Sequence, residues 1–148
     1  MSVFRRLPRW LRRRIIHSMT PAYTVGAVLA LIRADGKLLL VEQRHSPGWA
    51  LPGGLLKKGE DPSTGVVREV SEEVGLAIDP SRLPIPYAVI APIARRVDVV
   101  FVSRAGEGAG DAHIADDLEV TGVGWFDFDA LPDVSEPTID ILRGVRLM

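Results

Sequence analysis

Three glutamates fall within five residues of the segment REVSEEVG (68–75), namely Glu69, Glu72 and Glu73. In a helix, side chains at positions i, i+3 and i+4 lie on one face, about 5–6 Å apart. Like charges at this spacing weaken an isolated helix by roughly 0.2–0.5 kcal/mol per pair. Such a face is either simply solvated or it binds a cation. Mg²⁺ and Mn²⁺ prefer hard oxygen ligands, so three carboxylates on one face could hold one or two of these ions.

The residues around the glutamates predict a helix that begins after Asp61 and ends before Gly75. Asp61 is a favourable N-cap, and Pro62 is tolerated in a first turn. Gly75 suits the left-handed position just past the last turn. An apolar stripe should face the core, and the glutamates should face away from it. The stripe consists of four valines, Val66, Val67, Val70 and Val74.

Aliphatic runs separated by polar turns predict one α/β domain with strands at residues 23–33, 37–43, 87–93, 96–104 and 119–126. Asp35 and Gly36 separate the first two strands, which indicates a β-hairpin. The segment 46–54 is rich in proline and glycine and is predicted to be a loop. A long surface loop is expected at 104–117. A last helix should begin at about Pro137, capped by Ser135 or Glu136.

The composition of the 148-residue chain, 47% hydrophobic and 25% charged, is typical of an ordinary globular protein. No cysteine is present, which excludes disulfides, thiolate metal sites and cysteine nucleophiles. This fits a reducing compartment, and the cytoplasm is the expected location. No stretch approaches the ~20 apolar residues that a membrane-spanning helix needs.

Charge is unevenly distributed along the chain. Residues 1–20 carry six arginines and no acid, a net charge of +6, whereas the remainder holds 12 basic and 19 acidic side chains, a net charge of −7. Phe4, Leu7, Leu11 and Ile15 recur at roughly helical spacing, which predicts a basic amphipathic arm at residues 1–20 as part of one unit with the domain at 21–148. The arm could bind an anionic membrane or nucleic acid. We favour docking of its apolar stripe on the domain or on a second copy in a homodimer.

The glutamates belong to a longer pattern, GLLKKGEDPSTGVVREVSEEVGL (54–76). This segment resembles the Nudix box, G-x5-E-x7-R-E-U-x-E-E-x-G-U with U aliphatic, at every fixed position. The box covers 23 of the 148 residues, but the likeness continues on both sides. Upstream, WALPGG (49–54) is similar to the usual approach to the box. Downstream, Glu119 lies six residues before Trp125, and the later Leu131-Pro132 is similar to the family's C-terminal pattern.

The resemblance implies a Nudix fold, in which a mixed β-sheet lies between helices in an α/β/α arrangement. It implies that Mg²⁺ or Mn²⁺ is bound by the carbonyl of Gly53 and by glutamate side chains. The implied glutamate ligands are Glu69, Glu72 and Glu73, with Glu119 as a fourth ligand. Arg68 would pair with Glu60 or a neighbouring carboxylate and hold the group together.

The implied reaction is metal-dependent hydrolysis of the pyrophosphate bond in a nucleoside diphosphate linked to a group X, with water attacking phosphorus. A general base must take the proton of that water. Glu69 is our first choice for the base and Glu119 the alternative. Asp116 and Asp117 lie near Glu119, but they read more simply as two solvated loop acids.

Other polar residues could contact the substrate. His45 precedes the Pro-Gly loop and could reach a phosphate or ribose, and Arg95 and Arg96, at the start of a strand, could bind phosphate. ADP-ribose-hydrolysing relatives tend to carry a proline about fifteen residues past the box, and Pro92 lies sixteen past Leu76. The small size also suits enzymes that cleave oxidised dNTPs. The substrate is therefore either ADP-ribose-like or an oxidised or ordinary dNTP.

Two alternatives belong to different functional classes. An RNA-directed pyrophosphohydrolase could hold the strand with its basic arm, but the acidic remainder of the chain argues against it. A non-catalytic nucleotide-binding protein of the same fold would usually have lost box carboxylates, and all of them are present here. We therefore predict an enzyme that acts on a small nucleotide.

Overall fold

The computed structural model describes residues 8–104 and 111–148, so residues 1–7 of the predicted arm and 105–110 of the predicted long loop lie outside the described part. The helices are α1 (Arg9–Met19), α2 (Pro62–Val74) and α3 (Glu136–Gly144). The strands are β1 (Thr24–Ile32), β2 (Leu38–Gln43), β3 (Trp49–Ala50), β4 (Gly53–Leu55), β5 (Tyr87–Ala91), β6 (Arg96–Arg104) and β7 (Val120–Phe126). A 3₁₀ turn spans Pro80–Arg82.

The strands form one mixed sheet in the order β3-β2-β1-β6-β5, with β4 paired to β1 and β7 paired to β2. Strands β1 and β6 run parallel from the pair Thr24 and Arg96 to the pair Ile32 and Arg104. The other pairings in the described chain are antiparallel, apart from an isolated bridge between Trp49 and Val134. Strand β1 therefore lies at the centre of the sheet, where its side chains are buried on both faces.

Helices cover both faces of the sheet, which confirms the α/β/α arrangement. On the α2 face, the buried cluster includes Ala27, Leu29, Leu39, Val66 and Val70. On the α3 face, it includes Val28, Ala30, Leu40, Ile141 and Leu142. Because successive strand residues point to opposite faces, the odd-numbered residues of β1 pack against α2 and the even-numbered ones face α3.

Helix α2 has the predicted bounds and caps. The Asp61 carboxylate accepts a hydrogen bond from the Ser63 N–H at 2.9 Å, and Gly75 ends the helix with φ +71°. The predicted valine stripe packs inward, with Val66, Val70 and Val74 fully buried and Val67 half-buried. One expectation about this helix is wrong, because Glu73 is also buried and does not face solvent.

One prediction about the strands is wrong. The segment 46–54 contains the short strands β3 and β4 and is not loop throughout. Gly53 permits β4 to pair with β1, since its φ is +141° and a Cβ there would lie 2.3 Å from the Ala27 carbonyl oxygen. Strands of two or three residues are too short to show a periodic signal. The predicted hairpin of β1 and β2 is confirmed, with one registered antiparallel pair, Ile32 and Leu38, before β2 continues along β7.

The arm is helical where it is described. In α1, Leu11 and Ile15 are half-buried, whereas the side chains of Trp10 and Ile16 are exposed. Docking of the arm and its assignment as part of one unit with residues 21–148 stay predictions. Within residues 8–104 and 111–148, no helix combines the length and apolar character that crossing a bilayer requires.

Candidate active site

The exposed half of the site is organised by Arg68 on α2. Its guanidinium binds both oxygens of Glu60, at 2.8 Å through Nε and 3.0 Å through Nη2. Its Nη1 donates to Glu69 at 2.7 Å and to Glu72 at 3.2 Å. These contacts hold the pKa of Glu60 down at about 2 and raise the pKa of Arg68, the Glu60 pairing being the largest cause of each. The predicted pairing of Arg68 with Glu60 is confirmed.

The position of Glu69 depends on a glycine in the strand opposite. A Cβ placed on Gly54 would lie 2.7 Å from the Glu69 carboxylate carbon, so this carboxylate rests directly on the backbone of β4. The half-buried carboxylate keeps one described hydrogen bond, from Arg68. Glu72, one turn further along α2, is exposed to solvent.

The buried half of the site is built around Glu73, whose exposed fraction is 3%. Its carboxylate accepts a hydrogen bond from the backbone N–H of Gly53 at 2.9 Å and another from the Gln43 amide at 3.1 Å. Both donors are neutral. In the described part of the chain, no lysine or arginine forms an ion pair with Glu73.

Burial raises the pKa of Glu73 to about 7, from an ordinary value of 4.5. The hydrogen bonds from Gly53 and Gln43 oppose this rise, whereas the negative charges of Glu69 and Glu119 add to it. A carboxylate in this situation is stabilised by any cation that enters beside it. The electrostatics of the free chain therefore favour a positive ligand at this point.

Glu119 reaches the site from the segment that precedes β7. It lines an open pocket of about 280 Å³ together with Gln43, His45 and Ser46. The Glu119 carbonyl accepts a hydrogen bond from the Arg44 N–H at 2.8 Å, which fastens the segment to the end of β2. His45 and Glu119 are thus brought together, next to the amide that binds Glu73.

The two predicted arginines lie elsewhere. Arg95 is exposed in the turn before β6, with φ +49°. Arg96 donates to Asp98 at 2.7 Å on the face of the sheet that carries α3. The structure does not bring either guanidinium to the carboxylates of α2. The Asp116 carboxylate accepts a hydrogen bond from the Leu118 N–H at 2.9 Å, and Asp117 is exposed.

Three residues of the site went unnoticed in the sequence. Gln43 binds Glu73, Arg44 binds the carbonyls before Glu119, and the ring of His113 packs on Gly75, where a Cβ would lie 2.4 Å from its Cε1. The position of Gln43 in β2, just before the Pro-Gly loop, was the one available signal. The contacts of Arg44 and His113 span 74 and 38 residues and left no local pattern.

The donor set suits a hard divalent cation. Carboxylate oxygens and backbone carbonyls are the ligands that Mg²⁺ and Mn²⁺ prefer. Over residues 8–104 and 111–148, no three acidic, histidine or cysteine side chains are already spaced as a complete cage. In the free chain, Glu69 and Glu72 are hydrogen-bonded to Arg68, and Glu73 is hydrogen-bonded to Gly53 and Gln43.

Comparison with known proteins bears on the whole domain as well as the glutamates. The sequence model of the NUDIX domain matches residues 22–143, which includes the sheet, α2 and nearly all of α3. The chain belongs to the NUDIX family. It is therefore a Nudix hydrolase of the pyrophosphohydrolase class, and members of this family generally use divalent metal ions.

Individual Nudix proteins agree with this assignment. A "MutT-like protein" of Streptomyces ambofaciens is 32% identical over 128 residues, which is 86% of this chain and 77% of that protein. The crystal structure of a MutT NUDIX hydrolase from Burkholderia pseudomallei superposes with a TM-score of 0.68 at 29% identity, covering 82% of this chain and 97% of that one. An ADP-ribose pyrophosphatase of Methanocaldococcus jannaschii is 43% identical over 53 residues, 34% of this chain and 31% of that protein.

Proposed function

We propose that this Nudix hydrolase cleaves the pyrophosphate bond of a nucleoside diphosphate derivative with the help of Mg²⁺ or Mn²⁺. The observation that carries the proposal is Glu73, a buried carboxylate with neutral donors whose pKa is raised to about 7. It lies close enough to Glu69 and Glu119 for their charges to add to that rise. A divalent cation would remove this repulsion, and its oxygen ligands are the ones gathered here.

In this proposal, Glu69, Glu72, Glu73 and Glu119 hold the metal with the Gly53 carbonyl. A divalent ion bound there offsets the charge of the pyrophosphate oxygens. Arg68 fixes the direction of Glu69 through their 2.7 Å contact. Gln43 and the Gly53 N–H fix Glu73. The chain thus sets the geometry of the carboxylates before any ligand arrives.

Glu69 is the proposed general base, with Glu119 as the alternative. Glu69 is half-buried and held by Arg68 and by the backbone of β4, which gives its carboxylate a defined direction. Glu119 is exposed at the rim of the 280 Å³ pocket, where an incoming substrate and water would pass. Substitution of the true base should remove the acidic limb of the pH–rate profile.

The substrate is proposed to be an ADP-ribose-like nucleotide or a dNTP, oxidised or not. The relative from Methanocaldococcus jannaschii supports the first class, and the MutT-like relatives leave the second open. His45 is the proposed substrate contact, since it lines the pocket beside Glu119. Contacts of Arg95 or Arg96 with the substrate stay predictions. Such contacts would require the substrate to extend beyond the pocket. Homodimerisation and a cytoplasmic location are likewise proposals.

The test is a substrate panel of nucleoside diphosphate sugars, dinucleotides, dNTPs and oxidised dNTPs, assayed with Mg²⁺, with Mn²⁺ and with EDTA. We expect metal-dependent release of phosphate or nucleoside monophosphate, abolished by EDTA. Glu69→Gln and Glu119→Gln are assayed over a pH range on the best substrate. Full turnover without a divalent ion would contradict the proposal, and an intact acidic limb in both variants would remove both candidates for the base.

A further inference from the structure

Arg44, the first residue after β2, forms hydrogen bonds to the backbone of the segment that contains Glu119. Its Nε donates to the Leu118 carbonyl at 3.1 Å and its Nη2 to the Asp117 carbonyl at 2.8 Å. Its own N–H donates to the Glu119 carbonyl at 2.8 Å. Three successive carbonyls, ending at Glu119, are therefore held by one residue that lies 73 to 75 positions earlier in the chain.

The same segment is also tied to the end of α2. The Ala115 N–H donates to the Glu73 carbonyl, and the His113 N–H donates to the Val74 carbonyl, each at 3.1 Å. These are carbonyls of the last helical turn, which have no partner within the helix. Residues 113–119 thus bridge from the box helix to the end of β2, and Glu119 lies where the bridge reaches Arg44.

We infer that Arg44 is a positioning residue that holds Glu119 at the pocket beside Glu73. The inference rests on the proposed role of Glu119 as a metal ligand or alternative base. Glu119 itself is exposed, and no described hydrogen bond or ion pair fixes its carboxylate. The place of its carboxylate therefore depends on its backbone, and Arg44 binds that backbone at three successive carbonyls.

The shape of the side chain matters here as well as its charge. A guanidinium is a planar fork that can bind two successive carbonyls at once, whereas a lysine ammonium is a compact point charge. Arg44→Lys keeps the charge but should no longer hydrogen-bond both carbonyls at once. If Arg44 served instead as a cation for substrate phosphates, lysine would retain most of its effect. The pair Arg44→Ala and Arg44→Lys therefore separates geometry from charge.

The first measurement needs no substrate. Amide hydrogen exchange of the metal-free protein should become faster at residues 44 and 115 in both variants. The N–H of each residue forms one of the hydrogen bonds that anchor residues 113–119. Affinity for Mn²⁺, titrated by electron paramagnetic resonance, should fall by roughly 10–100-fold, as for other groups that orient metal ligands. The matched control is Arg33→Ala, since that guanidinium also binds a neighbour, Asp35, but lies in the turn before β2. It should change neither quantity.

The second measurement asks whether Arg44 acts through Glu119. We expect Arg44→Ala to lower kcat in the wild type but to have little further effect in Glu119→Gln. Equal losses in both backgrounds, or full retention of Mn²⁺ affinity and kcat in Arg44→Lys, would overturn the inference and leave the proposed function intact. If Glu119→Gln alone changes neither kcat nor Mn²⁺ affinity, the proposed role of Glu119 fails, and the inference fails with it. The metal requirement and the Glu69→Gln result would then still test the proposed hydrolysis of a pyrophosphate bond.

Discussion

Two carboxylates are buried in the described part of this protein, one on each face of the sheet. Glu73 has an exposed fraction of 3% and lies on the α2 face, and Asp98 has 4% and lies on the α3 face. Asp98 is paired with Arg96 at 2.7 Å, and Gly26 makes the room for them, since a Cβ there would lie 2.6 Å from the Asp98 oxygen. Glu73 has two neutral donors.

The two carboxylates differ in whether the chain itself supplies a charged partner. A buried charge is costly unless it is paired, and Asp98 is paired within the chain. Burial raises the pKa of Glu73, and only neutral hydrogen-bond donors oppose that rise. We propose that a cation from outside the chain pairs with this carboxylate, as expected of a metal ligand.

The largest predicted effect concerns activity. Glu73→Gln should lower kcat by about 10²-fold or more, because it removes a charged oxygen from the proposed metal site. Asp98→Asn, an equally isosteric change at an equally buried carboxylate, should leave kcat within a few-fold of wild type once the protein is folded. Steady-state kinetics at saturating Mg²⁺ measures both. Equal losses in the two variants would erase the functional distinction between the two faces.

The next effect is the pH dependence of stability in metal-free buffer. The folded pKa of Glu73, about 7, exceeds its ordinary value of 4.5, so the protonated carboxyl stabilises the fold. This contribution is fully present below pH 4.5 and is lost as the pH rises through about 7. The loss in the free energy of unfolding should approach about 3 kcal/mol.

Urea denaturation between pH 4.5 and 8 in EDTA measures this loss. Glu73→Gln should flatten the profile, whereas Glu72→Gln, its exposed neighbour on α2, should keep it. A flat profile in the wild type would mean that some other group stabilises the charged carboxylate of Glu73 in the absence of metal. Saturating Mg²⁺ should also restore stability at high pH, since binding favours the folded state.

The smallest effect concerns the structural pair. Asp98→Asn should lower the free energy of unfolding by about 1–2 kcal/mol, because the bond to Arg96 loses its charge while that guanidinium keeps partial access to water. The control is Asp35→Asn, which weakens the ion pair of Asp35 with Arg33 in the turn before β2 and should cost less. Thermal or urea unfolding at pH 7 compares the two. If Asp98→Asn is as stable as the wild type, the charge of this pair does not contribute to the free energy of unfolding.

The sequence by itself determined the features that depend on neighbours within a few turns. Asp61, Gly75 and the valine stripe defined α2, since caps and helical periodicity are local properties. The spacing of the box glutamates placed them on this helix and suggested their chemistry. The pairing of Arg68 with Glu60 followed from the resemblance to the Nudix box, which contains both residues. The α/β/α order of layers also followed from that resemblance, since the strand and helix patterns by themselves predicted only one α/β domain.

Only the tertiary structure decided which charged side chains are buried and which partners they have. Glu69, Glu72 and Glu73 share a face in sequence, but only Glu73 is buried, because Gly53 and Gln43 arrive from the sheet to cover it. Arg96, a candidate phosphate contact in the sequence, pairs with Asp98 beside Gly26, a contact that no local pattern predicted. Burial depends on which distant segments pack over a side chain, and that depends on the path of the whole chain. Local patterns give a side chain its direction, whereas its surroundings are fixed only when the sheet and helices assemble.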